Sequence, residues 1–449
     1  MQTFRAHILT PITAASGSRA AAPRPRMSDT GRRTSDIGRR TPDTESRTSD
    51  FGHRTPDDVD HRWADWTDGR LDVEDGRIRA VGPWRRTSRY TDVRPHLMLP
   101  GLVDVHAHVP QLPVCGVHPD NLLDWLQKWT FPLEARFRGA RARTLSAGFI
   151  REMLGHGTTT AALYTSAWPD SVEACFAAAR EAGIHAWIGP PLMDVDAYRR
   201  VTTRRVLDEA RRLARLDSPR LRFAVTPRFA LSCSMDLLCG AGDLAREFNL
   251  PIQTHLAEQQ EECREVRRRF HRRYLQVYER AGLVGRCSLF AHAIWLSEAD
   301  WARLSGAAIA HCPTSNVFLG SGVMDWRRAQ SSARVGLGSD VGAGPDLSIF
   351  RVARTAWTVH SLVGVAPGAA DLLHAATLGG ARALGFHGVG SLEAGKSADF
   401  ILLDAARVIP PGAPEVESTE DLLSRVLHRA GRSSIRQVYV GGRLAVDNS

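Results

Sequence analysis

The sequence predicts an α/β protein, a parallel β/α barrel joined to a small β-domain made from both chain ends. Three observations predict it. From Leu97 to about Phe386 short β-like runs alternate with longer helical stretches, the segments on either side return to strand patterns with tight turns, and histidines and an aspartate recur where the β-like runs end.

In chain order, residues 3–9 read as a strand, and residues 70–81 as another pair of strands around the Glu74-Asp75-Gly76 turn. Between them Arg33, Arg40, Arg47 and Arg54 stand seven apart, each opening R-T-S-D or R-T-P-D. The spacing suggests a coiled coil, but its a/d positions are not apolar and Pro42, Pro56, Gly31, Gly38 and Gly52 oppose a helix. Residues 26–60 are therefore expected to be a disordered heptad-repeat insertion, with 1–25 and 61–96 forming the first part of the β-domain.

The barrel is expected over 97–386, with strands near residues 101–105, 221–225, 252–255, 288–291 and 307–311. Helical periodicity lies between them, as in Leu122, Trp125, Leu126 and Trp129, or in Val206, Ala210 and Leu213. Residues 397–403 and 435–446, the latter with Gly441-Gly442 as a hairpin turn, place the second part of the β-domain in 387–449.

Composition bounds the function. The chain has 449 residues, 43% of them hydrophobic and 24% charged, which excludes a peptide hormone, a fibrous repeat and a disulfide miniprotein. Its net charge of +9 comes from arginines spread along the chain, since Lys128 and Lys396 are its lysines. The basic run from Arg267 to Arg273 directly follows Glu258, Glu261, Glu262 and Glu265, so neither a nucleic acid nor a membrane surface is the expected partner. Seven scattered cysteines without a C-x-x-C pair, no evident signal peptide and no run of 18 apolar residues point to a reduced, cytoplasmic setting.

The chemistry sits at the strand ends. His106 and His108 are two apart on one strand, so both imidazoles project to the same side at its C-terminal end, where a barrel builds its site. His255, His292 and Asp340 close three later runs. Three or four imidazoles with one carboxylate suit Zn²⁺ or Fe²⁺ with a position left for water. No lysine stands between Lys128 and Lys396 to bridge two metals, so one metal is expected. The H-x-E with P-C-x-x-C signature of zinc nucleobase deaminases of the cytidine type is missing.

Glu258, three residues past His255, is the candidate general acid/base, although, with Glu261 and Glu262 following it, it also fits a solvated helix-start acid. Thr226-Pro227-Arg228-Phe229 follows another strand and offers a guanidinium beside an aromatic ring, which suits a flat heterocycle or an arginine capping carbonyls over a core ring. Gln111 can add an amide or face water. Cys312, beside His311, reads as a packed thiol.

These stretches resemble the amidohydrolase superfamily and, within it, the guanine deaminase family. The resemblance is carried by Leu99-Pro-Gly-Leu-Val-Asp-Val-His-Ala-His108, Gln111, and Leu123-Asp-Trp-Leu-Gln-Lys-Trp-Thr-Phe-Pro132 with Glu134 and Phe137. It continues through Gly157-Thr-Thr-Thr160, Thr226-Pro-Arg-Phe-Ala-Leu-Ser-Cys233, His255 with Glu258, Ala291-His292, Ala310-His-Cys-Pro313, Gly338-Ser-Asp340 and Val438-Tyr-Val-Gly-Gly442. The resemblance implies a (β/α)₈ TIM-like barrel with a small β-sandwich from the N- and C-terminal segments, and a homodimer with one zinc per subunit. It implies His106, His108, His255 and Asp340 as the metal ligands, with His292 beside the reacting oxygen. Two departures stand out: the heptad insertion has no counterpart in the family pattern, and Leu112 replaces the aromatic that commonly follows the glutamine.

The implied activity is hydrolytic deamination of guanine to xanthine and ammonia, a step of purine catabolism. Glu258 would carry the proton, Asp340 and His292 would steady the attacking oxygen, and Arg228 and Gln111 would pair with the far edge of the base. Phe229 or Trp129 would wall the ring. The rival readings are another mononuclear amidohydrolase acting on a triazine, cytosine or a chlorinated heterocycle, and a catalytically silent scaffold member of the family.

Overall fold

The structure, a computed structural model, describes residues 1–13, 62–117, 125–414 and 418–448. The heptad repeat lies outside the described residues. Among them no helix is long and apolar enough to cross a membrane.

The chain ends build one sheet. Strands β1 (Gln2–Pro11), β2 (Trp63–Glu74), β3 (Arg77–Pro83) and β4 (Thr91–Pro100) come from the N-terminal part, and β15 (Phe400–Leu403), β16 (Ile435–Val440) and β17 (Arg443–Asp447) from the C-terminal part. They hydrogen-bond in the order β17-β16-β15-β4-β1-β2-β3. Both hairpin turns place two residues at positive φ, Asp75 and Gly76 at 50° and 77°, Gly441 and Gly442 at 54° and 69°, as tight two-residue turns require. The sheet has its own apolar core, in which the Phe400 ring stacks on Tyr439 at 4.4 Å and meets Phe4 edge-on at 5.3 Å.

Between these segments lie ten parallel strands. They are β5 (Leu102–His108), β6 (Thr158–Tyr164), β7 (His185–Gly189), the two-residue β8 (Pro191–Leu192), β9 (Leu221–Phe223), β10 (Thr226–Pro227), β11 (Ile252–Leu256), β12 (Ser288–His292), β13 (Ala308–His311) and β14 (Arg334–Leu337). Two sheets of four, β5-β6-β7-β9 and β11-β12-β13-β14, are linked at one seam by a parallel bridge from Val225 to Ile252. At the other seam Asp340 N donates to His106 O at 2.8 Å and His108 N to Val341 O at 3.0 Å. Small and branched side chains two residues apart, Val103 with Val105, Leu289 with Ala291, and Ala308 with Ala310, fill one interior cluster.

The second seam needs glycine. A Cβ on Gly338 would lie 2.8 Å from His106 Cβ and 2.9 Å from Cys312 Sγ, so no larger residue lets the chain leading to Asp340 run against β5.

Helices cover the outside. Thr203–Leu213 buries Val206, Ala210 and Leu213 on one face, and its N-cap Thr202 accepts from Arg205 N at 3.3 Å. The run expected to be simply helical around Trp125 contains a π-helical turn, Leu126–Thr130, followed by the helix Phe131–Arg136. Trp125 and Leu126 are buried here, while Trp129 is 37% exposed.

Candidate active site

The strand ends bring the predicted donors together. His106 and His108 leave β5 on one side, His255 comes from β11, and Asp340 follows β14. One ligand atom from each of these four lies within 4.8 Å of the others. His108 Nε2 and His255 Nε2 face each other at 3.2 Å, and Asp340 Oδ1 lies 3.2 Å from His106 Nε2 and 3.4 Å from His108 Nε2. His106 Nε2 is buried without a hydrogen-bond partner.

Surroundings set the protonation. Burial pushes His108 down to about 4 and His255 well below the usual imidazole range, so both offer lone pairs. Asp340, although burial raises it, is held well below the ordinary carboxylate range by His106 and His108. Converging lone pairs beside an ionised carboxylate, with a buried ring nitrogen left over, fit a divalent cation.

The outer contacts fix the rings. His255 Nδ1 donates to the carbonyl of Arg228 at 2.6 Å, and His292 Nδ1 to Asn316 Oδ1 at 2.9 Å, which turns both Nε2 atoms inward. Ser315 Oγ donates to Asp340 Oδ2 at 2.6 Å. Buried Asp104 accepts from His106 N at 3.1 Å and Ser339 N at 2.9 Å, tying the two strand ends that carry ligands. The backbone is strained here: Ala257, His292, Ala293 and Asp340 all have positive φ, between 47° and 72°.

A pocket opens beside the cluster, and its lining includes His108, Gln111, Trp125, Arg228, Phe229 and Glu258. Glu258 is buried rather than solvated. Its Oε2 lies 3.5 Å from His292 Nε2 and its Oε1 accepts from Ser321 Oγ at 3.2 Å, while burial and the Asp340 charge push it up to about 8. Glu262 is buried too: it accepts from Glu258 N at 3.1 Å and from Tyr274 OH, and burial followed by Glu258 raises it to about 7.

Gln111 and Arg228, which also line the pocket, are both buried. The ring under the Arg228 guanidinium is Phe131, at 4.9 Å, so the expected partnership with Phe229 is replaced; Phe229 lines the pocket instead. Trp129 is absent from the lining, and Trp125 stands there. Leu112 packs partly buried against the core. The Cys312 thiol is buried, raised well above the usual range by that burial, and donates to Ala310 O at 3.5 Å.

Sequence reasoning assigned no role to one acid of the stretch that carries the resemblance. Glu134 is fully buried, pairs with Arg228 and accepts from Gln111 Nε2 at 2.8 Å. The signal available for it was its place after the aromatic run Trp125 to Phe131.

Comparison with known proteins agrees with this geometry. Guanine deaminase from Escherichia coli is 35% identical over 408 residues, covering 85% of this chain and 92% of the relative. The solved structure of E. coli guanine deaminase superposes with a TM-score of 0.86 at 30% identity and full coverage of both chains. Guanine deaminase from C. acetobutylicum, with guanine bound in its active site, gives 0.80 at 28% identity over 86% of this chain and 97% of that one. An adenosine deaminase from Xanthomonas campestris with bound zinc gives 0.75 at 28% identity, covering 84% and 88%. The model of the Amidohydrolase family matches residues 97–445, which takes in every residue of the ligand cluster and the pocket, and this chain belongs to the amidohydrolase family.

Proposed function

We propose that the chain is a guanine deaminase, which converts guanine and water into xanthine and ammonia. The observation that carries the reading is one pocket whose lining joins buried Glu258, beside the His/Asp cluster, with the buried Arg228 guanidinium and the buried Gln111 amide. Relatives named guanine deaminase, one of them holding guanine, support it.

The donor set suits one Zn²⁺ held by His106, His108, His255 and Asp340, and such an ion supplies Lewis-acid activation of water. Arg228 and Gln111 hold the carbonyl and ring-nitrogen edge of guanine, which turns C2 toward Glu258. Glu258 takes a proton from the attacking water and delivers it to N3. The C2–O bond forms, the C2–N bond breaks, and the second proton leaves with ammonia through the same carboxyl. His292, oriented by Asn316, and Asp340 steady the attacking oxygen.

The run of parallel strands supports a (β/α)₈ barrel over 97–386, and the seven-stranded sheet supports one small β-domain built from the N- and C-terminal segments. The enzyme works as a cytoplasmic homodimer.

The test is direct. Purified protein incubated with guanine should turn its ultraviolet spectrum into that of xanthine and release one ammonia per base. Release of ammonia or chloride from a triazine, cytosine or a chlorinated heterocycle, with guanine untouched, would replace this reading.

A further inference from the structure

The carboxylate of Glu134 is fully buried and takes no part in the proton transfers above. Its Oε1 accepts from Gln111 Nε2 at 2.8 Å and its Oε2 pairs with Arg228 Nη1. Phe131, three residues earlier on the same short helix, lays its ring 4.9 Å from the guanidinium carbon. Gln111 and Arg228 line the pocket, whereas Glu134 stands behind them. Burying an ion pair brings a desolvation penalty that an apolar residue in the same place avoids, so fold stability alone does not account for this arrangement.

We infer that Glu134 is a positioning residue that makes the pocket specific for a purine with a carbonyl on the edge away from the reacting carbon; the inference rests on the guanine deaminase reading. The two ends of a glutamine amide have nearly the same shape, so hydrogen-bond partners decide which way it points. An ionised carboxylate only accepts, so Gln111 must turn Nε2 toward Glu134. Its Oε1, 3.5 Å from Gly342 N, keeps a lone pair for a ring N–H. The same carboxylate anchors one arm of the rigid guanidinium fork, and the remaining N–H groups of Arg228 are left for a carbonyl oxygen and N7. An acceptor beside fixed donors matches the N1–H, O6 and N7 edge of guanine. It mismatches a 6-aminopurine, which presents a lone pair at N1 and a donor at C6.

The experiment uses the full-length, metal-loaded protein and two variants, Glu134→Gln and Glu134→Asp. For each, kcat/KM on guanine is compared with the inhibition constant of 2-aminopurine, which lacks the carbonyl, and metal content is measured alongside. The glutamine variant cannot accept from both neighbours, and the aspartate keeps the charge but is too short to span them. Both should lose about tenfold or more on guanine with KM rising more than kcat falls, while 2-aminopurine affinity changes by less than about threefold and metal content stays at the wild-type level. Equal losses for the two bases, an unchanged guanine preference, or loss of metal would overturn the positioning role. Should Glu134→Gln not fold, the same ratio in Glu134→Asp decides. A wild-type protein inactive on guanine would overturn the functional reading itself, whereas an active wild type with unchanged ratios in the variants overturns only the role of Glu134.

Discussion

His255 Nδ1 lies 2.6 Å from the carbonyl oxygen of Arg228, so the residue that offers its guanidinium to the pocket also orients, through its backbone, a ring of the candidate metal centre. The contact comes from adjacent strand ends: His255 N also donates to Arg228 O, at 3.2 Å. Side-chain changes at residue 228 therefore leave the support of the His255 ring in place, which separates base recognition from metal binding by mutation.

His255→Ala removes one of the four converging donors. Metal affinity should fall by more than about 100-fold, beyond the usual cost of losing an outer-shell partner. Metal analysis after dialysis reads this out. One tightly bound equivalent in the variant would take His255 off the ligand set.

Glu258→Gln keeps the shape and the metal but cannot accept a proton, and turnover should drop about 10²- to 10⁴-fold. The wild-type carboxyl is raised from 4.5 to about 8 by burial and by Asp340. It works deprotonated, so kcat/KM rises with pH as it loses its proton. A cation at the ligand cluster offsets the Asp340 charge, which places this acid limb between 4.5 and about 8. A pH profile with the same acid limb in Glu258→Gln would assign the limb to another group.

How far the sequence could be read follows from which relations are local. The pairing of His106 with His108 is a property of any strand, and His255, Asp340 and Glu258 are legible because they sit at or just past apolar runs. The acidic run after Glu258 also suited a solvated helix start; that Glu262 of this run is buried follows from contacts such as the Tyr274 hydroxyl on the following helix. That Trp125 rather than Trp129 lines the pocket is decided by how this helix packs on the barrel, which residue periodicity does not announce. Glu134 meets Arg228 across 94 residues of chain and Asp104 meets Ser339 across 235, contacts that exist only once the strands have closed on one another.

Deleting residues 26–60 should change melting temperature and guanine turnover little, since the repeat has too few apolar residues to add to a core. Melting curves and initial rates of the deleted and full chains measure this. Loss of soluble protein on deletion would make the repeat structural.

Arg228→Ala should damage guanine turnover while leaving the metal in place, because the backbone carbonyl that orients His255 survives the substitution. A charge-assisted hydrogen bond to the base contributes about 1.5 to 3 kcal/mol, which is roughly tenfold to a hundredfold in kcat/KM. The substitution also strands the buried Glu134 carboxylate, so stability should fall by about 3 to 5 kcal/mol in the same variant. Stability loss lowers the amount of active enzyme for every substrate alike, whereas loss of the base contact does not. Guanine should therefore lose more than 2-aminopurine, which has no carbonyl on that edge and never made the contact. Kinetics with both bases on both proteins, normalised to metal content, isolate this as an interaction term. Equal losses on the two bases would mean that Arg228 supports Glu134 and the wall of the pocket without reading the base, and guanine specificity would then rest on Gln111.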